Sequence, residues 1–229
     1  MNPLQRLKDG PIRRARTWFH DVPLRRLGLT GLVWRTGSFA HVRFLGHPIW
    51  QNPMDAWGIQ EAIVEDDVDL IVECGTNRGG SAFYMASLFE LRGKGKVITV
   101  DIESLSEVEH PRIEFVIGSS IDAEVVARVK ARIAELQPQR VMVVLDSDHA
   151  GLHVLRELEL YAEMVPIGGL VHVQDGCIDE IRLMRRDRPG PLWAIRKFVA
   201  KDARFEIDDE RSRRYLFSLS PSGWLRRVA

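Results

Sequence analysis

The chain has 229 residues, 45% of them hydrophobic and 28% charged, and its 32 basic side chains balance 32 acidic ones. This composition fits one globular domain and excludes wholesale disorder, and the zero net charge argues against a nucleic-acid-binding protein driven by overall basicity. The charge is divided, however, into a basic start (residues 1–46, +7), an acidic middle (47–181, −14) and a basic end (182–229, +7).

The first 46 residues are rich in arginine and aromatic side chains, and we predict that they form an N-terminal helical cap or arm beside a main domain at 47–229. They lack the apolar stretch and cleavage site of a secretory signal. No run approaches the roughly 18 apolar residues of a membrane span. Two cysteines, Cys74 and Cys177, are too few for a disulfide scaffold. We therefore expect a reduced, cytoplasmic protein. We also expect it to form a homodimer or higher homo-oligomer.

From residue 68 onward, strand patterns alternate with helix patterns. Five short, continuously apolar runs are predicted strands: Leu70–Glu73, Val97–Asp101, Ile113–Ile117, Val141–Asp146 and Leu170–Asp175. Helical patterns with a period near 3.6 residues lie between them, at Ser81–Leu91, Asp122–Leu136 and Leu152–Met164. This alternation predicts a Rossmann-like, doubly wound α/β fold whose mostly parallel sheet is covered on both faces.

The end of the chain breaks this rhythm. A helical pattern at Leu192–Ala200 is followed by two predicted strands, Arg204–Ile207 and Tyr215–Leu219, with the polar turn Asp208–Arg213 between them. Two strands joined by so short a connection must be antiparallel. The prediction is therefore a seven-stranded sheet with an antiparallel C-terminal hairpin.

The most informative segment is Asp69–Ser81, in which a buried strand ends at Glu73, a glycine-bearing turn follows, and a helix begins near Gly80. Open α/β sheets bind their cofactors at such a place. Position 77 is Asn, so the pattern is E-x-G-x-x-x-G and not the G-x-G-x-x-G of dinucleotide-binding turns. An acidic residue at the strand end suits a positively charged ligand, such as the ammonium and sulfonium groups of S-adenosylmethionine (SAM), better than a pyrophosphate.

We therefore predict a SAM site at the ends of the first three strands. At the second strand end, Asp101 suits the two ribose hydroxyls, and a serine pair after the third strand is placed to border the adenine. The alternative is a strand–turn–helix junction whose glycines serve only packing. The predicted cofactor-binding residues are Glu73, Gly75, Thr76, Gly79, Ser81, Asp101, Ile102, Ser119, Ser120 and Asp146.

Carboxylates also close the fourth and fifth strands, which are neighbours beside the cofactor cleft in a doubly wound sheet. Asp146, Asp175 and the amide oxygen of Gln174 suit Mg²⁺, which prefers oxygen ligands. The metal would lower the pKa of an acceptor hydroxyl while His149 takes its proton, so Asp146 and His149 are the predicted catalytic residues. The alternative is that aspartates at strand ends only cap the next helix, as Asp148 is placed to do.

Five segments in order resemble the cephalosporin-hydroxylase-like family, and they lie at Gly46–Asp55, Glu73–Ala82, Leu145–His149, Gly190–Leu192 and Pro221–Leu225. The similarity spans about residues 45–228. That family includes rhamnosyl and other sugar O-methyltransferases and has the fold of class I SAM-dependent methyltransferases, with a parallel sheet that ends in an antiparallel hairpin.

The resemblance implies Mg²⁺-assisted methyl transfer from SAM to a hydroxyl. Asp146 matches the first Asp of the family's L-D-x-D-H segment, and Gln174 and Asp175 match the acidic pair that ends the next strand. His149 stands three residues after the metal-binding Asp, where catechol-type methyltransferases carry their base. Gln174 departs from the family, whose members commonly have Glu there, and the loss of one negative charge weakens the expected metal site.

The leading hypothesis is a SAM- and Mg²⁺-dependent O-methyltransferase that acts on a sugar hydroxyl of a glycoside or related small natural product. The alternatives are a cephem-modifying component and, from another class, a SAM-binding partner subunit without chemistry of its own. No nucleic-acid partner is expected. We expect the acceptor pocket to be formed by the segment around Gln51, Asn52 and Trp57 and by loops in the segment Arg182–Pro191.

Overall fold

The computed structural model of the protein describes residues 23–181, 189–215 and 217–229. The strands are β1 (Arg43–Phe44), β2 (His47–Pro48), β3 (Leu70–Cys74), β4 (Lys96–Asp101), β5 (Ile113–Ile117), β6 (Val141–Leu145), β7 (Leu170–Val173), β8 (Phe205–Ile207) and β9 (Trp224–Arg227). The α-helices are α1 (Pro23–Thr36), α2 (Pro53–Glu65), α3 (Gly80–Arg92), α4 (Ala123–Leu136), α5 (Gly151–Tyr161), α6 (Pro191–Lys201) and α7 (Asp209–Ser212).

Strands β3 to β9 form one seven-stranded sheet in the order β5-β4-β3-β6-β7-β9-β8. The first five pair in parallel, and β9 pairs antiparallel with both β7 and β8. The predicted mostly parallel fold with antiparallel C-terminal strands is thus confirmed. The chain moves from β3 toward one edge and then returns to build from β6 toward the other. Ligands of open α/β sheets bind at such a reversal, beyond the carboxyl ends of the strands.

The central strands of the sheet are buried on both faces, which explains why they are mainly apolar. Every residue of β3, β6 and β7 is buried. On one face Val129, Leu158 and Phe198 come from helices α4, α5 and α6. On the other face Ile63 and Phe89 come from α2 and α3. The two layers of helices fix the strand ends in space, and the candidate site lies at those ends.

The predicted strand at Tyr215–Leu219 is wrong for its described residues, 215 and 217–219, none of which is in a strand; the antiparallel partner of β8 is Trp224–Arg227. The backbone N–H of Leu219 donates to the carboxylate of Asp55 at 2.8 Å and so is not available to a sheet. The short helix α7, which forms where a turn was predicted, is anchored by Arg211. Its guanidinium donates to acidic side chains at the end of α2 and lies 5.4 Å from the centre of the Trp224 ring.

The basic end of the chain pairs with its acidic middle at this anchor. Arg211 donates to Glu65 and Asp66 at 2.9 and 2.8 Å, and Arg226 donates to Asp66 at 2.8 Å. Arg214 adds a contact to Glu65 at 2.8 Å. Part of the charge division seen in the sequence is therefore neutralised inside the molecule.

The described part of the N-terminal segment consists of α1, a 3₁₀ turn at Ser38–His41 and the β1–β2 hairpin. The pairing of Arg43 with Pro48 joins residues on both sides of the predicted boundary at residue 46, and that division stays a prediction. Helix α2 was not predicted, although Asn52 and Pro53 form a typical start, as N-cap and first helical residue. Among the described residues, no helix is long and apolar enough to cross a membrane.

Candidate active site

Three glycines let the turn after β3 fit between neighbouring backbones. Gly75 has φ 102°, and a Cβ there would lie 2.2 Å from the carbonyl oxygen of Asp146. A Cβ on Gly80 would lie 2.0 Å from the carbonyl oxygen of Pro48 in β2. Gly79 has φ 82°, and a Cβ there would lie 2.6 Å from the Ser106 side chain. The turn is thus pressed against the end of β6 on one side and the N-terminal hairpin on the other.

Glu73 lies behind this turn and does not face the open cavity. Its side chain is 0% exposed, and its two carboxylate oxygens accept hydrogen bonds from the hydroxyls of Ser81 at 2.5 Å and Thr99 at 2.6 Å. The Thr76 hydroxyl lies 2.7 Å from that of Thr99 and extends the chain of bonds. Burial raises the pKa of Glu73 to about 7. Glu73 therefore orders the hydroxyls of the turn from beneath.

Most of the predicted cofactor residues line one cavity of about 820 Å³, within the range of about 300–1,000 Å³ typical of small-molecule sites. Asp101 stands at its wall, where one carboxylate oxygen accepts from the Asn77 N–H at 2.8 Å. The cavity residues that had been predicted to bind cofactor are Gly75, Thr76, Ser81, Asp101, Ile102, Ser119, Ser120 and Asp146. Glu73 and Gly79 are not part of the lining.

Asp146, His149 and Asp175 converge on the same cavity. One ligand atom from each lies within 4.8 Å of the others, and Nε2 of His149 is 3.2 Å from a carboxylate oxygen of Asp175. Burial and the neighbouring Asp175 raise the pKa of Asp146 well above its ordinary value, and burial raises that of Asp175. Two carboxyl groups that resist ionisation side by side favour a cation between them. This donor set fits a divalent metal ion.

Gln174, the predicted third metal ligand, is 4% exposed and does not line the cavity. Its amide nitrogen has no hydrogen-bond partner among the described residues. Asp148 accepts a hydrogen bond from the Ala150 N–H at 2.8 Å, but it does not cap α5 as predicted, because the N-cap residue is Ala150 and no side chain caps it.

A buried carboxylate missed by the sequence analysis lies beneath the far wall of the cavity. Glu157 on α5 is 0% exposed and accepts from the hydroxyls of Ser120 at 2.5 Å and Ser147 at 2.6 Å. Nε2 of His153, one helical turn earlier, lies 3.4 Å from the same oxygen. Glu157 thus ties the loops after β5 and β6 together. The spacing of His153 and Glu157 on one helix face was the available signal.

The N-terminal side of the cavity is aromatic. Phe39 and Trp50 line it, whereas Trp57 is 58% exposed and outside the lining. Asn52 serves as the N-cap of α2 and donates to the Asp55 carboxylate at 3.1 Å, so its side chain has a structural role. In the segment Arg182–Pro191, residues 182–188 are outside the described residues, and Pro191 begins α6.

A doubly wound sheet of this order, with a glycine-bearing turn after its first central strand and a carboxylate at the next strand end, has the architecture of the SAM-dependent methyltransferases. The family described as rhamnosyl O-methyltransferase/CmcI matches residues 37–228, and the chain belongs to this family. Rhamnosyl O-methyltransferases of Mycobacterium bovis (strain BCG) and Mycobacterium tuberculosis (strain H37Rv) are 30% identical to it over 203 residues, which cover 86% of this chain and 80% of theirs. The Mycobacterium leprae protein of the same name is 28% identical over 200 residues, 85% of each chain.

Solved structures agree on the fold. The apo structure of CmcI superposes with a TM-score of 0.65 at 18% identity and covers 83% of this chain and 77% of CmcI. The Mg-SAM structure of CmcI gives a TM-score of 0.63 at 16% identity, with 83% and 78% covered. Together with the family membership, this fold makes the protein a SAM-dependent O-methyltransferase.

Proposed function

We propose that the protein transfers the methyl group of SAM to a hydroxyl of a sugar in a glycoside or related small natural product, with the assistance of Mg²⁺. The observation that carries this proposal is the convergence of Asp146, His149 and Asp175 on the cavity that Asp101 and the glycine turn also line. The names of the mycobacterial relatives support a sugar acceptor, and the Mg-SAM structure of CmcI supports the metal.

In this proposal the cofactor lies along the ends of β3, β4 and β5. The turn from Gly75 to Ser81 holds its methionine portion, and Asp101 accepts from the ribose hydroxyls. Ser119 and Ser120 border the adenine. Glu73 acts through the hydroxyls of Ser81 and Thr99 and not by direct contact, because both of its oxygens are already engaged.

We expect Asp101→Ala to weaken the binding of SAM at least about tenfold, because a charged acceptor of two hydrogen bonds is lost. Titration calorimetry with SAM and with its product S-adenosylhomocysteine measures the effect. Asp122→Ala is a matched control, since Asp122 is exposed and makes no side-chain capping bond at the start of α4. Unchanged affinity in Asp101→Ala would remove Asp101 from the cofactor site.

The chemistry assigned to the chain's own residues is proton transfer and positioning. Mg²⁺, when bound by Asp146 and Asp175, would supply positive charge that lowers the pKa of the acceptor hydroxyl. His149 takes the hydroxyl proton at the ring nitrogen not engaged by Asp175, and the Asp175 carboxylate, 3.2 Å from Nε2, stabilises the imidazolium that results. The acceptor oxygen forms its bond to the methyl carbon as the carbon–sulfur bond breaks, and the cavity aligns the two for in-line displacement.

A screen of glycosides and phenols with methyl-labelled SAM tests this function. We expect label transfer to a sugar hydroxyl, its loss in EDTA, and its recovery when Mg²⁺ is added back. Full activity in chelator would show that the metal is not part of the mechanism. Label transfer to phenols alone would show that the acceptor is a phenol and not a sugar. Gln174 favours one second candidate, a SAM-binding subunit without chemistry. Tight binding of SAM with no transfer to any acceptor would support it.

A further inference from the structure

We propose that Phe39 and Trp50 form the acceptor subsite of the cavity, an aromatic wall that packs against the C–H face of a neutral pyranoside ring. This inference rests on the proposed function and specifies the substrate class of the same site. Both residues line the cavity that contains Asp146, His149 and Asp175.

The backbone of Trp50 is the first reason. Trp50 has φ 53°, in the left-handed region that a bulky side chain rarely adopts. Its neighbours Ile49 and Gln51 are 7% and 2% exposed, whereas Trp50 itself is 49% exposed. Burial of the indole therefore does not compensate for the strained backbone. The backbone conformation instead places a large apolar ring at the open cavity. Strained residues of this kind concentrate at ligand-binding sites.

Phe39 supports the indole from the side. The two ring centres are 6.3 Å apart with an angle of 56° between the planes, a tilted arrangement that aromatic pairs prefer. Phe39 is itself packed against the buried cluster of Cys177, Ile181 and Leu219. The wall is thus a preformed surface held by the core, which lowers the entropy lost when a ligand binds.

The aromatic wall and the cluster of Asp146, His149 and Asp175 belong to the lining of the same cavity. A ring lying on the indole is placed to present a hydroxyl to Asp146 and His149.

The chemistry of the lining selects the kind of ring. An aromatic wall offers apolar area without directed hydrogen bonds, which matches the C–H face of a pyranose and leaves its hydroxyls to polar partners. Among the described lining residues, Glu103 and Asp148 are acidic and are assigned to neither the cofactor nor the metal, and Arg78 is paired with Glu107 at 3.2 Å. This balance disfavours a phosphorylated or carboxylated acceptor.

Four variants test the subsite: Trp50→Ala, Trp50→Phe, Phe39→Leu and the control Trp57→Ala, which removes an exposed tryptophan outside the cavity. The probe is 4-nitrophenyl α-L-rhamnopyranoside, with its binding in the presence of S-adenosylhomocysteine followed by saturation-transfer NMR and its KM measured with SAM. The affinity of each variant for S-adenosylhomocysteine, measured by calorimetry, checks that the fold and the cofactor site are intact.

We expect Trp50→Ala to raise the dissociation constant and KM of the glycoside at least about tenfold, as when contact with a large aromatic side chain is lost. Phe39→Leu should weaken binding less, and Trp50→Phe should restore most of it, while Trp57→Ala and all cofactor affinities stay unchanged. Wild-type transfer to the glycoside with an unaltered KM in Trp50→Ala would overturn the subsite alone. A wild-type protein that binds S-adenosylhomocysteine but neither binds nor methylates any pyranoside would overturn the sugar acceptor and the subsite together.

Discussion

His149→Ala should lower turnover by about 10²–10⁴-fold, the usual contribution of a general base, while the affinity for SAM changes little. The imidazole lies against Asp175 in the wall of the cavity, and no other imidazole among the described residues belongs to the Asp146–Asp175 cluster. Measuring kcat at saturating SAM, together with calorimetry of S-adenosylhomocysteine, separates a loss of chemistry from a loss of cofactor binding.

The control for this variant is His41→Ala, which removes an exposed imidazole outside the cavity lining. A turnover near that of the wild type would exclude His149 as the base. Because His149 also lies within the group of metal-ligating atoms, titration of each protein with Mg²⁺ alone is informative. Unchanged metal affinity in His149→Ala supports proton transfer, and a large loss would reassign His149 as a ligand.

Gly75→Ala should abolish measurable SAM binding and lower the free energy of unfolding by about 2–4 kcal/mol. The added methyl group would lie 2.2 Å from the carbonyl oxygen and 2.9 Å from the next backbone nitrogen at the end of β6, and neither atom belongs to a flexible side chain. The strand end carrying Asp146 must then move away from the cofactor turn. Calorimetry with SAM and urea unfolding measure the two effects.

Gly93→Ala is the matched control, because Gly93 also has positive φ, 72°, but an added Cβ would meet nothing within 4 Å. That variant should lose only about 1–2 kcal/mol, the cost of a left-handed backbone without a clash, and keep its cofactor affinity. Equal behaviour of the two variants would show that close approach to Asp146 is not what makes Gly75 necessary.

Local patterns were sufficient to predict the centre of the fold. Strands β3, β6 and β7 are buried along their whole length, as is most of β4, so each is a short, mainly apolar run that the sequence displays directly. The ends of β5 are as predicted, and those of the other four strands differ by at most two residues; β6 ends at Leu145, which leaves Asp146 just beyond it. The C-terminal strand was misplaced because what removes Leu219 from the sheet is a bond to Asp55, far away in the chain.

The candidate site also has parts that local sequence patterns predicted and parts that depend on contacts between distant segments. The cofactor turn and Asp101 are each encoded within a few residues of a strand end, so their spacing alone predicted them. The aromatic wall was missed because it depends on how the N-terminal hairpin docks against Gly80, which no local pattern records. The exposure of the Trp50 side chain between two buried neighbours depends on the same docking.

The position of β9 has a consequence for how the protein is made. Although it is later in the sequence than β8, β9 lies between β7 and β8 and hydrogen-bonds to both. During synthesis, β8 and the free edge of β7 emerge from the ribosome before the strand that joins them. Until residues 224–227 follow, the nascent chain exposes two unpaired strand edges, which are templates for association with other chains.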